Sequence, residues 1–172
     1  MSLRGHYKAA AANVQTASFL VVRYGSTYCA LPSEGVRGVL TTEEAGSGQS
    51  VLWVGVTYLE VNLAGLIGKR LDHSSPDLRT VLYSSNLSHG AIRVEEVIGL
   101  IEVERIQCRP LPPQFRREER SWIVGTLLYQ EHVVLLLNPE WVLGELGEVV
   151  SIGAGGTTQR AIAASNGGEQ AC

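Results

Sequence analysis

A short pattern occurs twice in the chain, and it constrains the fold more than any other feature. The first copy reads Asn62-Leu63-Ala64-Gly65-Leu66-Ile67-Gly68 and the second Asn138-Pro139-Glu140-Trp141-Val142-Leu143-Gly144. Each follows an apolar run, Val56 to Val61 in one case and Val133 to Leu137 in the other. Each therefore reads as a strand that stops at Asn and enters a short helix. Asn is a strong N-cap, because its side-chain oxygen accepts an orphan N–H of the first helical turn. Pro139 stands at the first helical position, where its missing N–H costs nothing. Gly68 and Gly144 suit the left-handed conformation that ends a helix. Two related β-units are the expectation, and neither copy contains a catalytic motif.

A length of 172 residues fits one compact domain, or two small subdomains that share a core. Val, Leu, Ile and Gly dominate over strong helix formers, which favours β structure with tight turns. The net charge is −3, and Arg116, Arg117 and Arg120 are interleaved with Glu118 and Glu119. Nucleic-acid binding thus has no electrostatic footprint. Cys29, Cys108 and Cys172 are widely spaced, and the first two lie in or beside apolar runs, as small buried hydrophobes do. No apolar stretch is long enough to cross a bilayer as a helix, and no secretory signal pattern is visible. A cytoplasmic protein without membrane insertion is expected.

Along the chain, residues 1–17 read as a flexible leader. Phe19 to Tyr24 and Thr27 to Leu31 read as a hairpin turning at Gly25-Ser26. Val51 to Trp53 and Val56 to Val61 read as strands on either side of Val54-Gly55. Thr80 to Tyr83, Ala91 to Val94 and Val97 to Val103 follow. A proline-rich loop runs from Pro110 to Arg120, and Trp122 to Leu128 pairs with Val133 to Leu137 across Tyr129 to His132. The second helix is expected to end near Leu146, and residues 149–172 have the low hydrophobicity of a disordered tail. The expected fold is all-β, with two five-stranded SH3-like barrels and short helices, spanning residues 18–148 with a junction near 85–90.

Catalytic constellations are weak. His6, His73, His89 and His132 share no metal-ligand spacing. Ser84, Ser85 and His89 offer a nucleophile and a base, but the Gly-x-Ser-x-Gly elbow is missing, and Asn86 and Gly90 fit a turn. Glu95, Glu96, Glu102 and Glu104 alternate with apolar residues, as on a strand with one wet face. Gly153-Ala154-Gly155-Gly156 lacks the preceding strand and the Lys-Ser/Thr of a phosphate loop. No cofactor or metal is expected. Two readings compete with a binding scaffold: a small enzyme with a site in the Leu71 to Arg79 loop, and a β-barrel binding module with another partner.

The order of these segments resembles the CheW-like domain family, which couples chemoreceptors to a histidine kinase. Phe19-Leu20-Val21-Val22 with Tyr28-Cys29-Ala30-Leu31-Pro32 is similar to its first hairpin. Val94-Glu95-Glu96-Val97 falls where the family carries Val-Asp-x-Val. Leu111-Pro112-Pro113, Ile123-Val124-Gly125 and Leu136-Leu137-Asn138 match its closing segment. The centre departs from the pattern. The family reads Asn-Leu-Arg-Gly where this chain has Leu52-Trp53-Val54-Gly55, so Val54 replaces the arginine. Leu59 stands at the usual proline, and Asn62 and Asn138 at the usual aspartates. The resemblance implies a non-catalytic adaptor without cofactors. Its implied partners are the regulatory domain of a CheA-type histidine kinase and the tip of a methyl-accepting chemoreceptor. The residues it marks for partner binding are Trp53, Val54, Gly55, Val56, Glu60, Asn62, Leu63 and Gly125. Trp53, Val54 and Val56 are either an apolar docking face or ordinary core, because alternation turns only some of them outward.

Overall fold

The computed structural model describes residues 15–86 and 88–144. The expected tail, and nearly all of the expected leader, lie outside the described residues. Among the described residues ten strands account for the architecture. A first hairpin, β1 (Thr16–Tyr24) and β2 (Thr27–Pro32), leads through a 3₁₀ turn at Ser33–Gly35 into β3 (Val36–Thr41). Helix α1 (Thr42–Ala45) follows, held by a capping box between Thr41 and Glu44. Next come β4 (Ser50–Trp53), β5 (Val56–Val61) and helix α2 (Leu63–Leu66). The chain continues through β6 (Arg79–Ser84), β7 (His89–Val94) and β8 (Glu96–Glu104). Helix α3 (Glu119–Trp122), β9 (Ile123–Tyr129) and β10 (His132–Leu137) close it. Residues 139–144 are again helical.

The strands form two five-stranded sheets, ordered β8-β1-β2-β10-β9 and β3-β6-β7-β5-β4. The wiring is the same in both. Two antiparallel hairpins are joined by one parallel pair, β2 with β10 in the first sheet and β5 with β7 in the second. A further strand, β8 or β3, flanks each sheet. The strands leading into the repeated Asn unit, β5 and β10, occupy equivalent places. The duplication seen in sequence is thus a duplication of sheet topology. The chain crosses between sheets after Pro32 and again at Glu95. The strands on either side of the junction expected near 85–90, β6 and β7, pair with each other in one sheet.

Three apolar clusters hold the molecule together. Phe19, Val21, Ala30, Leu127, Val134 and Leu136 fill the first sheet's concave side. Leu40, Ala45, Val51, Tyr58, Leu82 and Ala91 fill the second's. The largest cluster lies between the sheets and includes Leu20, Val22, Cys29, Leu31, Val61, Leu63, Val81, Ile92 and Leu143. Its strands bury both faces, which explains the continuous apolar runs of β1 and β6. Polar straps cross the same boundary. The Tyr24 hydroxyl donates to the Arg93 carbonyl at 2.9 Å, and the Tyr83 hydroxyl donates to the Pro32 carbonyl at 3.0 Å. At the crossing itself, Glu95 accepts the Gly25 amide at the tip of the first hairpin, and within the first sheet Arg23 of β1 pairs with Glu96 of β8.

The two Asn units differ in their ends. The Asn62 side chain accepts the Gly65 amide at 2.8 Å, and Gly68 ends α2 at φ +68°. Asn138 takes the Val142 amide on its backbone carbonyl, while its side-chain amide donates to the Ser121 carbonyl at 3.2 Å. This Asn ties its helix to α3. Gly144 is still helical and does not take the left-handed conformation expected of it, and Leu146 lies outside the described residues.

Candidate functional site

The hairpin of β4 and β5 exposes apolar side chains that no packing among the described residues explains. Its register pairs Val51 with Tyr58 and Leu52 with Thr57. Strand alternation turns Val51 and Tyr58 inward, where both are buried. Leu52 and Leu59 point outward and are 73% and 45% exposed. From Ser50 to Leu59 no side chain carries a formal charge at pH 7. At the end of the same hairpin Trp53 and Val54 are exposed as well, so four large apolar residues with solvent access are gathered on one hairpin.

At the tip, Val54 and Gly55 adopt φ +47° and +77°. Positive φ at both central residues defines the two-residue turn that matches strand twist. Gly55 reaches it without cost. Val54 is β-branched, and its side chain crowds the backbone there. It is also 86% exposed. The core reading of Val54 is therefore wrong; it is a strained, solvated apolar tip. Trp53 does have a structural role. Its indole nitrogen lies 3.8 Å from where a Cβ on Gly38 would stand, so the ring spans the gap between β4 and β3. Val56 is partly buried against the second sheet's core.

The remaining residues marked in the sequence scatter. Glu60 forms an ion pair with Arg93 at 3.2 Å, and Arg93 also donates to the Gly48 carbonyl at 3.1 Å, bracing the loop after α1. Asn62 is the α2 cap. Leu63 is completely buried in the cluster between the sheets, so its side chain reaches no partner. Gly125 lies in the other sheet. Arg109 and Thr126 exchange two backbone hydrogen bonds at 2.7 and 2.8 Å, which ties the segment after β8 to β9. A Cβ on Gly125 would stand 2.7 Å from the Arg109 carbonyl oxygen. Gly125 therefore closes its sheet and does not belong to the hairpin surface. Sequence reasoning missed Leu52 and Leu59; the charge-free stretch around them was the available signal.

The equivalent hairpin, β9 with β10, repeats the geometry. Gln130 and Glu131 sit at φ +47° and +67°, and Leu128 and Val133, directly opposite each other, are both mostly exposed. This tip is polar, and its His132 stacks on Tyr28 with ring centroids 4.3 Å apart. His89 and His132 each open a strand, not a loop. His89 Nδ1 lies 2.8 Å from the Ser84 hydroxyl, with the Tyr58 hydroxyl 3.4 Å beyond. Ser84 and His89 are cross-strand partners, and Ser84 is buried. No carboxylate among the described residues bonds to this histidine, so the trio has the form of a hairpin lock. Among the described residues there is no group of three potential metal ligands, and no helix is long and apolar enough to cross a membrane.

No protein-family model and no curated protein matches the sequence. The fold does match a solved structure. The scaffolding protein TtCheW from Thermoanaerobacter tengcongensis aligns over 74% of this chain and 92% of its own, with a TM-score of 0.64 and 12% sequence identity. The likeness is one of fold: two five-stranded curled sheets with short helices.

Proposed function

Starting from a fold shared with a bacterial scaffolding protein, we propose that this chain is a non-catalytic adaptor of a chemosensory signalling assembly. It would couple a chemoreceptor tip to the regulatory domain of a CheA-type histidine kinase. The observation that carries this reading is the exposed, charge-free hairpin at Leu52, Trp53, Val54 and Leu59. Exposed apolar residues gathered on one charge-free element mark an interaction surface. Strain kept at Val54, where Gly or Asn would fit without cost, is typical of a functional contact. In this reading Trp53, Val54, Gly55 and Val56 form the docking edge, and Glu60 and Asn62 hold the backbone behind it. Leu63 and Gly125 act through the fold.

With valine at the tip, the contact uses shape and apolar burial. An arginine there would have offered a planar, five-donor group suited to carboxylates. The test is co-elution of the purified full chain with the regulatory domain of each CheA-type kinase, and with the receptor tips, encoded by the same organism. A stable or rapidly exchanging complex with one of them is expected. Absence of binding to all of them would remove the proposal.

A further inference from the structure

At the far end of the first sheet one strand outruns its neighbour. β2 stops at Pro32, opposite Phe19 of β1. β1 begins earlier, at Thr16, and on its other side Thr16, Ala17 and Ser18 pair with Glu104, Val103 and Glu102 of β8. Beyond Pro32 the chain leaves the sheet in the Ser33–Gly35 turn. Among the described residues, no strand pairs with the β2 side of Thr16–Ser18. The tight turn pairing Tyr24 with Thr27 fixes the phase of the ladder. Counting back by twos through Val22 and Leu20, the amide and carbonyl of Ser18 face the empty lane.

That lane opens into a cavity of about 660 Å³. Phe19, Val124 and Leu136 line it with apolar surface, and Arg105 and Arg109 also line it. Neither arginine is in an ion pair among the described residues. The Arg109 backbone is fixed by its two bonds to Thr126, so its position is set by the sheet. Glu34 is the one carboxylate among the lining residues.

We propose that this cleft accepts an extended, acidic segment of a partner protein as an added strand beside β1. Strand addition draws affinity from main-chain hydrogen bonds and specificity from alternate side chains. One face of the added strand packs apolar side chains on Phe19, Val124 and Leu136. Carboxylates on alternate positions meet Arg105 and Arg109. The unpaired edge is short, so binding is modest. The site does not depend on the hairpin surface or on a kinase partner.

The probe is a capped heptapeptide, Val-Glu-Val-Glu-Val-Glu-Val, titrated into the isotopically labelled full chain and followed by amide NMR. Its lysine counterpart, with each Glu replaced by Lys, is the control. The acidic peptide is expected to shift the Ser18 amide and slow its hydrogen exchange, and the lysine peptide to do neither. The double substitution Arg105→Glu with Arg109→Glu, both at exposed positions, is expected to weaken binding about tenfold or more. Val124→Glu, also exposed, provides a second disruption that leaves both arginines in place. Acidic-peptide binding that ignores these substitutions, or shifts confined to other regions, would overturn the proposal. So would a Ser18 amide already protected in the free protein, since the lane would then be filled from within the chain.

Discussion

Val54 gives the sharpest test of the turn geometry. The residue sits at φ +47° and is 86% exposed. Holding a β-branched side chain in this region costs about 1–3 kcal/mol. Its exposure means that replacing it forfeits almost no packing. Asn tolerates positive φ and favours the first position of such a turn before Gly. Val54→Asn should therefore stabilise the protein by about 1 kcal/mol, raising Tm by roughly 2–4 °C for a chain of this size. Urea unfolding followed by tryptophan fluorescence would show a higher midpoint with an unchanged slope, as a pure stability change requires. Gln130→Asn in the equivalent β9–β10 turn should gain less, because glutamine is unbranched. If Val54→Asn is neutral or destabilising, the valine has compensating contacts in solution, and the strain reasoning fails.

Other substitutions probe the architecture. Gly125→Ala should destabilise by about 1–3 kcal/mol by overpacking against the Arg109 carbonyl, seen as a lower urea midpoint. Leu63→Ala should cost about 2–5 kcal/mol in the same assay, since the side chain is fully buried between the sheets. Asn62→Ala should cost about 1 kcal/mol through loss of the α2 cap. Stability should also fall in alkali. Burial pushes the Cys29 thiol and the Tyr83 hydroxyl each up to about 12, and raises Tyr24 well above the usual tyrosine range. The folded state keeps these protons after the unfolded chain has lost them. Their contribution is complete below about pH 9 and declines from there towards pH 12. Urea midpoints measured between pH 7 and 11 should stay level and then drop; a flat profile throughout would contradict this assignment.

Local chemistry made much of the fold legible. The repeated Asn unit, the Gly25-Ser26 turn and the Val54-Gly55 turn each announce themselves through residues with narrow backbone or capping preferences. The β9–β10 turn is different: Gln130 and Glu131 take positive φ without a glycine to signal it, and the strands on either side impose the geometry. The crossing of the chain between sheets is also invisible locally, because it depends on Tyr24, Tyr83 and Glu95 finding partners far away in sequence. For the same reason Gly125 read as a surface residue; only the distant Arg109 strand reveals why it lacks a side chain. At the hairpin, alternation says only that some of Trp53, Val54 and Val56 turn outward. It could not place Val54, since a turn residue belongs to neither face.

The adaptor reading stands or falls on one titration: the purified full chain against the isolated regulatory domain of its organism's CheA-type kinase, by calorimetry, repeated with Leu52→Asp. Leu52 is 73% exposed, so the substitution should leave the fold intact. The account predicts saturable binding by the native chain, weakened about tenfold or more by Leu52→Asp, as expected for burying a charge in an apolar contact. Binding of equal strength for both proteins would contradict the assignment of the hairpin as the docking edge, and no binding by either would contradict the adaptor role itself.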